Sequence, residues 1–440
     1  MMGGSLAPSG SASLRLPGEH FAASLLFLLA GSIGLVVIAP DLAGGSFLSV
    51  KVAGFTHLFT LGWLTTTIFG ALYQLLPVAL GAPVRSELMG HFSFWCYVPG
   101  VAVFVTSIVT NSVPLHHAGI FLIIAGIILL VLNVSLTLPK SSNRDETWWA
   151  VVAGLVFLSS TLLLGVVLLH NYHTGFLRDN RVAVLATHMH VAMAGWVMVM
   201  IVGMSHRLLP MFLLAHGGVT VWTRRALLFL PAGVPVFAAG MLYDLPATAW
   251  AGAILLDLGV LSFLIQARYF ALVRKRPRID IGLRFVAVAL IFLAIGAATG
   301  PVVLARGGLT HPRLAIVYII LSILGGLSLY VVGMYYKVVP FLAWIARFKG
   351  RIGREKVPTV ADLYWKRVAE VQLAVMAVSI VVLVAGVATG HAMVARTGAL
   401  GFVLGVLLFI SQIIRVMTVG SRPTPLPGRP TPPIPPTARV

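Results

Sequence analysis

Two histidines two positions apart, His188 and His190, lie in a long apolar run that contains no carboxylate. Imidazole binds heme iron and copper, and ionisable groups inside membrane helices are functional candidates. Because positions two apart on a helix differ by about 200°, the two rings point in nearly opposite directions. We therefore predict that this helix supplies one ligand to each of two interhelical cavities and does not chelate one metal with both rings.

A matching histidine, His57, begins an earlier copy of the same segment. HLFTLGWLTTTIFGALYQLLP starts at His57, HVAMAGWVMVMIVGMSHRLLP starts at His190, and a weaker copy, ILSILGGLSLYVVGMYYKVVP, starts at Ile320. Each copy has Gly at +5 (Gly62, Gly195, Gly325), Gly at +13 (Gly70, Gly203, Gly333) and Pro at +20 (Pro77, Pro210, Pro340). Small residues are common where membrane helices pack closely, but three matched positions indicate an internal repeat.

The elements that carry these residues are predicted to be membrane helices. Hydrophobic residues make up 59% of the chain and charged residues 10%, whereas soluble domains need about 25% charged residues. The apolar runs are long enough to cross a bilayer, which takes about 20 residues. A single cysteine, Cys96, excludes a disulfide framework and a cysteine-rich metal site. The composition predicts an all-α integral membrane protein in contact with lipid.

Twelve helices are predicted, near 21–39, 50–80, 92–110, 118–138, 148–170, 182–213, 225–242, 247–273, 283–305, 312–343, 367–390 and 394–418. The repeated segments are the second, sixth and tenth of these helices. The chain is thus predicted to form three pseudo-symmetric four-helix units, at about 21–138, 148–273 and 283–418. We expect the proline-rich tail, 419–440, to be disordered.

The net charge of +19 is concentrated beside alternate loops. Basic residues cluster at 274–278 and 347–367, after the eighth and tenth helices, and are sparse on the opposite side. Short loops rich in Lys and Arg mark the cytoplasmic side of a membrane protein. We therefore expect the N-terminal segment, 1–20, and the tail to be cytoplasmic. The charge orients the protein, and no nucleic-acid partner is needed to explain it.

Most of the thirteen histidines fall on the outer side in this topology. His116 and His117, beside Pro114 at an outer helix start, are candidate copper ligands, with exposed loop residues as the alternative. We interpret four others as interfacial residues: His170, His173, His311 and His391. The inner side has His20, His91, His206 and His216.

Asp257 is the only carboxylate well inside a predicted helix. It is a candidate functional residue, because carboxylates in membrane helices are costly. The alternative is a structural carboxylate that is paired with a neighbour on its helix.

The segment THMHVAMAGWVMVMIVGMSHRLLP resembles the histidine-bearing helix of heme–copper oxidase catalytic subunits, especially C-family oxidases and nitric oxide reductases. Those subunits carry a His-x-His pair, a Gly-aromatic pair and a distal proline. MGHFSFWCYVPGVAVFVTSIVTN is similar to another helix of that family, and the twelve-helix plan covers residues 20–418. The resemblance implies heme, of b type, and copper, with His190 as ligand of a low-spin heme and His188 as ligand of a second heme.

The chain departs from that pattern in three places. The family has its His-x-His pair in the tenth helix, where this chain has Ile320; its vicinal copper ligands are represented only by His116-His117; and Leu61 stands where A- and B-type oxidases have a tyrosine. The NnrS family also has twelve helices and the same His, Gly, Gly, Pro spacing in its first repeat. Its members resemble heme- and copper-containing proteins tied to nitric oxide stress, and this chain is similar to them.

Three functions are compatible with these patterns. The first is a heme-binding and copper-binding oxidoreductase that handles electrons and dioxygen or nitric oxide. The second is a non-enzymatic heme or copper protein of the NnrS type, and the third is a transporter without cofactors. By resemblance, the first would reside in a bacterial-type inner membrane and use a cytochrome c or copper-protein electron donor, together with small membrane subunits.

Overall fold

The computed structural model describes residues 14–215, 220–353 and 356–419, in which the regular elements are helices and there is no β-strand. The predicted all-α membrane fold is confirmed. Most of the predicted 1–20 segment, the 420–440 part of the predicted tail, and His216 lie outside the described residues.

Twelve helices of the described chain are long and apolar enough to cross a membrane, as predicted. We number them α1 to α12, with the bounds Arg15–Gly44, Val50–Leu80, Glu87–Thr110, Val113–Lys140, Glu146–Thr174, Arg178–Leu213, Val221–Leu242, Pro246–Leu272, Ile281–Ala305, Pro312–Arg351, Lys366–Thr389 and Ala392–Thr418. Helix α1 begins six residues earlier than predicted. Its first turn packs on the bundle through the buried side chain of Leu16, and Glu19 accepts hydrogen bonds from Arg15 and His91.

Helices α2, α6 and α10 form the centre of the bundle. In the most apolar 18-residue stretch of each of these helices, 61% to 78% of the residues are buried. In the other nine helices the share is 50% or less. The wide segments of α2 and α6, described below, both contact that of α10. The three repeated segments are therefore the inner helices, and the other nine surround them.

The repeat is also present in the backbone. Each inner helix widens into two π-helical turns, at Leu58–Thr65, Val191–Met198 and Leu321–Ser328. These segments start directly after His57, His190 and Ile320, at the 133- and 130-residue offsets of the sequence repeat. Since π-helical turns are rare and occur mostly at functional sites, three at equivalent positions mark the centre of the bundle as the region of interest.

A glycine in each wide segment packs on a phenylalanine of the first helix in its unit. A Cβ atom on Gly62 would lie 2.6 Å from Phe27, one on Gly195 would lie 2.7 Å from Phe157, and one on Gly325 would lie 2.7 Å from Phe292. The lack of a side chain thus lets each inner helix approach its neighbour closely. The +5 glycines of the sequence repeat have the same packing role three times.

The outer helices pack in pairs within each unit. Helices α3 and α4, α7 and α8, and α11 and α12 form antiparallel hairpins, and α1 contacts α12, which closes the ring. Helices α3, α5 and α9 begin with side-chain caps, in which Ser86, Asp145 and Asp280 accept backbone N–H groups of the first turn. All three caps lie at the end of the bundle predicted to face the cytoplasm.

The even number of spans places residues 14 and 419 at the same end of the bundle. The basic residues of the opposite end are Lys51, Arg178, Arg181, Arg306, Arg313 and Arg396. We predict that a reporter fused after Val440 is cytoplasmic and that one inserted between Asn111 and Ser112 is external. A reporter in the 81–86 loop serves as an internal control, and an external C-terminal reporter would contradict the orientation.

We predict that Gly195→Ala destabilises the protein, because the new Cβ atom would displace the ring of Phe157. Overpacking of a well-packed core costs about 1–3 kcal/mol. Gly18→Ala is the matched control, since nothing lies within 4 Å of a Cβ atom at Gly18. Thermal unfolding in detergent should show a lower midpoint for Gly195→Ala alone, and equal midpoints would refute the packing role.

Candidate functional site

An internal cavity of about 320 Å³ lies in the predicted outer half of the bundle. Side chains from α1 to α6 and from α10 line it, and most of them are apolar. The cavity reaches the end of the bundle, where Leu48, Val50 and Arg181 line it and are exposed. His57 and His188 project into this cavity from α2 and α6.

The ring of His57 is fixed by its own helix. Its Nδ1 atom lies 2.7 Å from the carbonyl oxygen of Ala53, one turn earlier. Nδ1 therefore carries the proton and donates to Ala53, which leaves Nε2 with a free lone pair. The ring also packs edge-on against Phe104 of α3, with centroids 5.5 Å apart. This is the tautomer and the fixed orientation that a metal-binding imidazole requires.

His188 faces His57 across the cavity, with ring centroids 6.5 Å apart and planes inclined at 38°. Its Cε1 atom lies close to Gly165 of α5, 3.4 Å from where a Cβ atom would be. Its Nδ1 atom is buried and has no hydrogen-bond partner among the described residues. A buried polar atom without a partner is costly, so this imidazole is suited to a ligand that the protein itself does not provide.

The separation of the two rings fits a shared metal. Bonds between a metal and imidazole nitrogen are about 2.0–2.1 Å long, so two imidazoles on opposite sides of one ion have centroids roughly 6 Å apart. The observed 6.5 Å is close to this distance. The geometry thus brings His57 together with His188, whereas the resemblance to oxidases favoured His190 as the low-spin ligand.

His190 lies on the other side of α6, away from the cavity. Its Nδ1 atom is 2.8 Å from the carbonyl oxygen of Ala186, and its ring packs on Phe237 of α7 at 4.3 Å. Its Nε2 atom lies 3.4 Å from the hydroxyl of Tyr318 in α10. The rings of His188 and His190 therefore point to different sides of α6, and a ligand role for each of them stays a prediction.

These contacts follow the threefold repeat. His57 and His190 occupy the same repeat position, and their partners Phe104 and Phe237 are also 133 residues apart. Two positions before the repeat start, the three copies have Phe55, His188 and Tyr318. The residue at the repeat start of one unit faces the residue two positions before the repeat start of the next unit. His57 faces His188 in this way, and His190 faces Tyr318.

The same register assigns Ile320 and Phe55 to the contact between the third and first units. The side chains at these three pairs of positions thus differ in chemistry: two imidazoles, an imidazole with a phenol, and two apolar side chains. Only the first offers two metal ligands. Tyr318 was not predicted from the sequence, although the same repeat register, taken two residues earlier, points to it.

Asp257 in α8 is half-buried and lies near the second of these contacts. It makes no hydrogen bond or ion pair with the described residues, so the alternative of a carboxylate paired on its own helix does not match the structure. Its carboxylate lies close enough to the phenol of Tyr318 for the two groups to influence each other. The contact of His190 with Tyr318 is therefore a second polar site inside the bundle, with Asp257 nearby on α8.

The candidate copper ligands His116 and His117 lie in the first turn of α4. His116 is 1% exposed and lines the cavity, while His117 is exposed. His173, at the end of α5, contacts both rings, although its sequence position suggested an isolated interfacial residue. The other three residues predicted to be interfacial, His170, His311 and His391, are exposed.

A cluster of possible ligands at the end predicted to face the cytoplasm is an ion-pair network. Asp145, Glu146 and His206 have ligand atoms close enough to hold a metal ion. Arg207 forms an ion pair with Asp145, and Arg224 donates to Glu146 at 2.6 Å. Because these guanidinium groups already balance both carboxylates, the cluster does not match a cation site.

His20 is a buried histidine for which the sequence predicted only the side of the membrane. Its Nδ1 atom is 2.8 Å from the carbonyl oxygen of Leu16, and its Nε2 atom has no partner among the described residues. The rings of Phe69, Tyr73 and Phe94 surround it. It repeats the fixed imidazole geometry of His57 but faces no second ligand within the described chain.

Comparison with known proteins gives a match at the level of structure. No protein-family model and no curated protein matches the sequence. A heme-copper terminal oxidase, solved as a dimer by cryo-EM, matches with a TM-score of 0.62 and 12% identity, over 94% of this chain and 86% of that chain. The chain therefore has the fold of a heme-copper terminal oxidase.

Proposed function

We propose that the protein binds heme in the cavity between α2 and α6, where His57 and His188 would hold its iron. The observation that carries this proposal is the pair of imidazoles facing each other at 6.5 Å across an apolar cavity. The shared fold with a heme-copper terminal oxidase supports it. The oxidase fold alone is not sufficient, because this chain has Ile320 at the start of its third repeat.

The side chains of the cavity match the chemistry of an iron porphyrin. Apolar residues such as Ile123, Leu158 and Ile319 line it and exclude water from the ring. Arg181 lines its outer end and offers a cation to porphyrin carboxylates. No described carboxylate lines the cavity. Apart from Arg181 at its outer end, the cavity thus offers only uncharged side chains to a bound group.

Heme held there would supply reversible one-electron chemistry at iron. The protein contributes the ligands and their orientation. The bond from His57 Nδ1 to Ala53 fixes the ring and raises its basicity towards a metal. The close packing of His188 on Gly165 restricts that ring in the same way.

The oxidoreductase and the non-enzymatic protein of the NnrS type would both use this heme site. They differ in whether the protein consumes dioxygen or nitric oxide. Consumption of dioxygen or nitric oxide by the heme-loaded protein would favour an oxidoreductase. A heme signal without consumption would favour a protective or sensing protein. The electron donor and any membrane subunits belong to the first alternative only.

We predict that His57→Ala and His188→Ala each lower the heme content of the purified protein by about tenfold or more. Even loss of the groups that orient metal ligands costs roughly 10–100-fold in affinity. The measurement is the Soret absorbance per mole of chain in detergent. Heme retention should also fall at acidic pH, because a protonated imidazole does not bind metal.

His190→Ala is the matched control for this experiment. His190 has the same repeat position and the same backbone bond as His57 but lies outside the cavity. It should keep the heme signal. Loss of the signal in His190→Ala but not in His188→Ala would reverse the assignment, and a wild-type protein without heme would favour the transporter.

We also predict that the group of His190, Tyr318 and Asp257 affects activity without holding this heme. Asp257→Asn and Tyr318→Phe should lower consumption of dioxygen or nitric oxide, with expression and Soret absorbance unchanged. Asp244→Asn is the matched control, because Asp244 is exposed in the turn between α7 and α8 and the substitution removes the same charge. Unchanged activity in both test variants would make Asp257 a structural residue.

A further inference from the structure

A hydrogen bond at the centre of the bundle joins the wide segments of α6 and α2. The indole Nε1 atom of Trp196 donates to the hydroxyl of Thr65 at 3.1 Å, and both side chains are buried. Trp196 is six positions after the repeat start of the second unit, and Thr65 is eight positions after the repeat start of the first unit. The bond is therefore a further contact between units, at a second pair of repeat positions.

The same pair of repeat positions joins Trp63 of α2 with Ser328 of α10. Trp63 is six positions after the repeat start of the first unit, and Ser328 is eight positions after the repeat start of the third. The packing agrees with this register, because the wide segments of α2 and α10 contact each other and the ring of Trp63 lies 5.1 Å from that of Tyr335. Tyr335 follows Ser328 by seven residues, about two helical turns, so both lie on the same side of α10. Trp63 and Ser328 thus belong to one boundary, between the first and third units.

Neither side chain has a hydrogen-bond partner in the part of the chain that the structure describes. Trp63 and Ser328 are both 0% exposed, and the Nε1 atom of Trp63 and the hydroxyl oxygen of Ser328 are both unpaired. A buried polar atom without a partner is costly and rare in native structures. Two such atoms at one boundary, where the equivalent boundary has a direct bond, indicate that a polar molecule lies between them.

We propose that Trp63 and Ser328 bind one internal water molecule between α2 and α10. The indole N–H can only donate, whereas the hydroxyl of Ser328 can donate or accept, so both can bond to the same water. Two polar partners are enough to hold a buried water. An ion is disfavoured, because neither side chain carries a charge that would offset the cost of burying one.

The third unit completes the comparison. By register, its contact with the second unit has Gly326 and Met198, which offer no polar side chain that needs a partner. The three equivalent contacts are thus a direct hydrogen bond, a water-mediated one and an apolar one. Trp63 and Ser328 do not line the cavity, so the water site does not depend on the proposed heme.

The test is a cryo-EM map of the full chain, in detergent, at a resolution that shows ordered water. We expect one density peak at hydrogen-bond distance, about 2.7–3.2 Å, from both Trp63 Nε1 and Ser328 Oγ. A direct bond between these two atoms would overturn the proposal, and so would a contact without a peak. The wild-type map alone decides this, whether or not a variant folds.

Two variants test which side chains hold the water. Ser328→Ala should lose the peak, because it removes one of the two partners. Ser322→Ala is the matched control: Ser322 is in the same wide segment but lies towards α9, with its hydroxyl 3.0 Å from where a Cβ atom of Gly296 would be. It should keep the peak. Persistence of the peak in Ser328→Ala, or its loss in Ser322→Ala alone, would show that Ser328 does not bind the water.

Discussion

The close contact between each inner helix and the first helix of its unit determines where the candidate ligands lie. A glycine at this contact leaves room for a phenylalanine ring and no more, in all three units. The wide π-helical turns begin four residues before that glycine and directly after His57 or His190. Inside a membrane such turns are stable only if their backbone groups are satisfied by the protein. The carbonyl oxygen of Leu61 accepts from Thr66 and Tyr97, which fulfils this condition in the first unit.

Equivalent backbones carry different chemistry because the side chains at two positions per unit differ. The first contact between units has His57 and His188, the second has His190 and Tyr318, and the third has Ile320 and Phe55 by register. Nδ1 of each repeat-start histidine is bonded to the carbonyl one turn earlier, so the tautomer is the same in both. The partner across the contact then decides whether the remaining nitrogen meets a second imidazole or a phenol.

Much of this arrangement could be predicted from the sequence, because it depends on spacing along one helix. The 133- and 130-residue offsets identified the inner helices, and the 200° angle separated His188 from His190. The pairing across helices was not predicted, since it depends on the rotation of α2 against α6. The contact of His173 with His116 was missed for a similar reason, because it depends on how the end of α5 packs on the start of α4.

The threefold frame has a consequence for how such proteins diverge. A pair of ligands in this fold needs only two suitable side chains, because the three units have equivalent backbones at the contacts between them. Gain or loss of a site therefore requires few substitutions and no new loop or helix. On the proposed function, substitutions at equivalent positions would move a ligand pair by a third of a turn around the bundle axis, so inner-helix position alone would be a poor guide to matching ligands in two proteins of this fold.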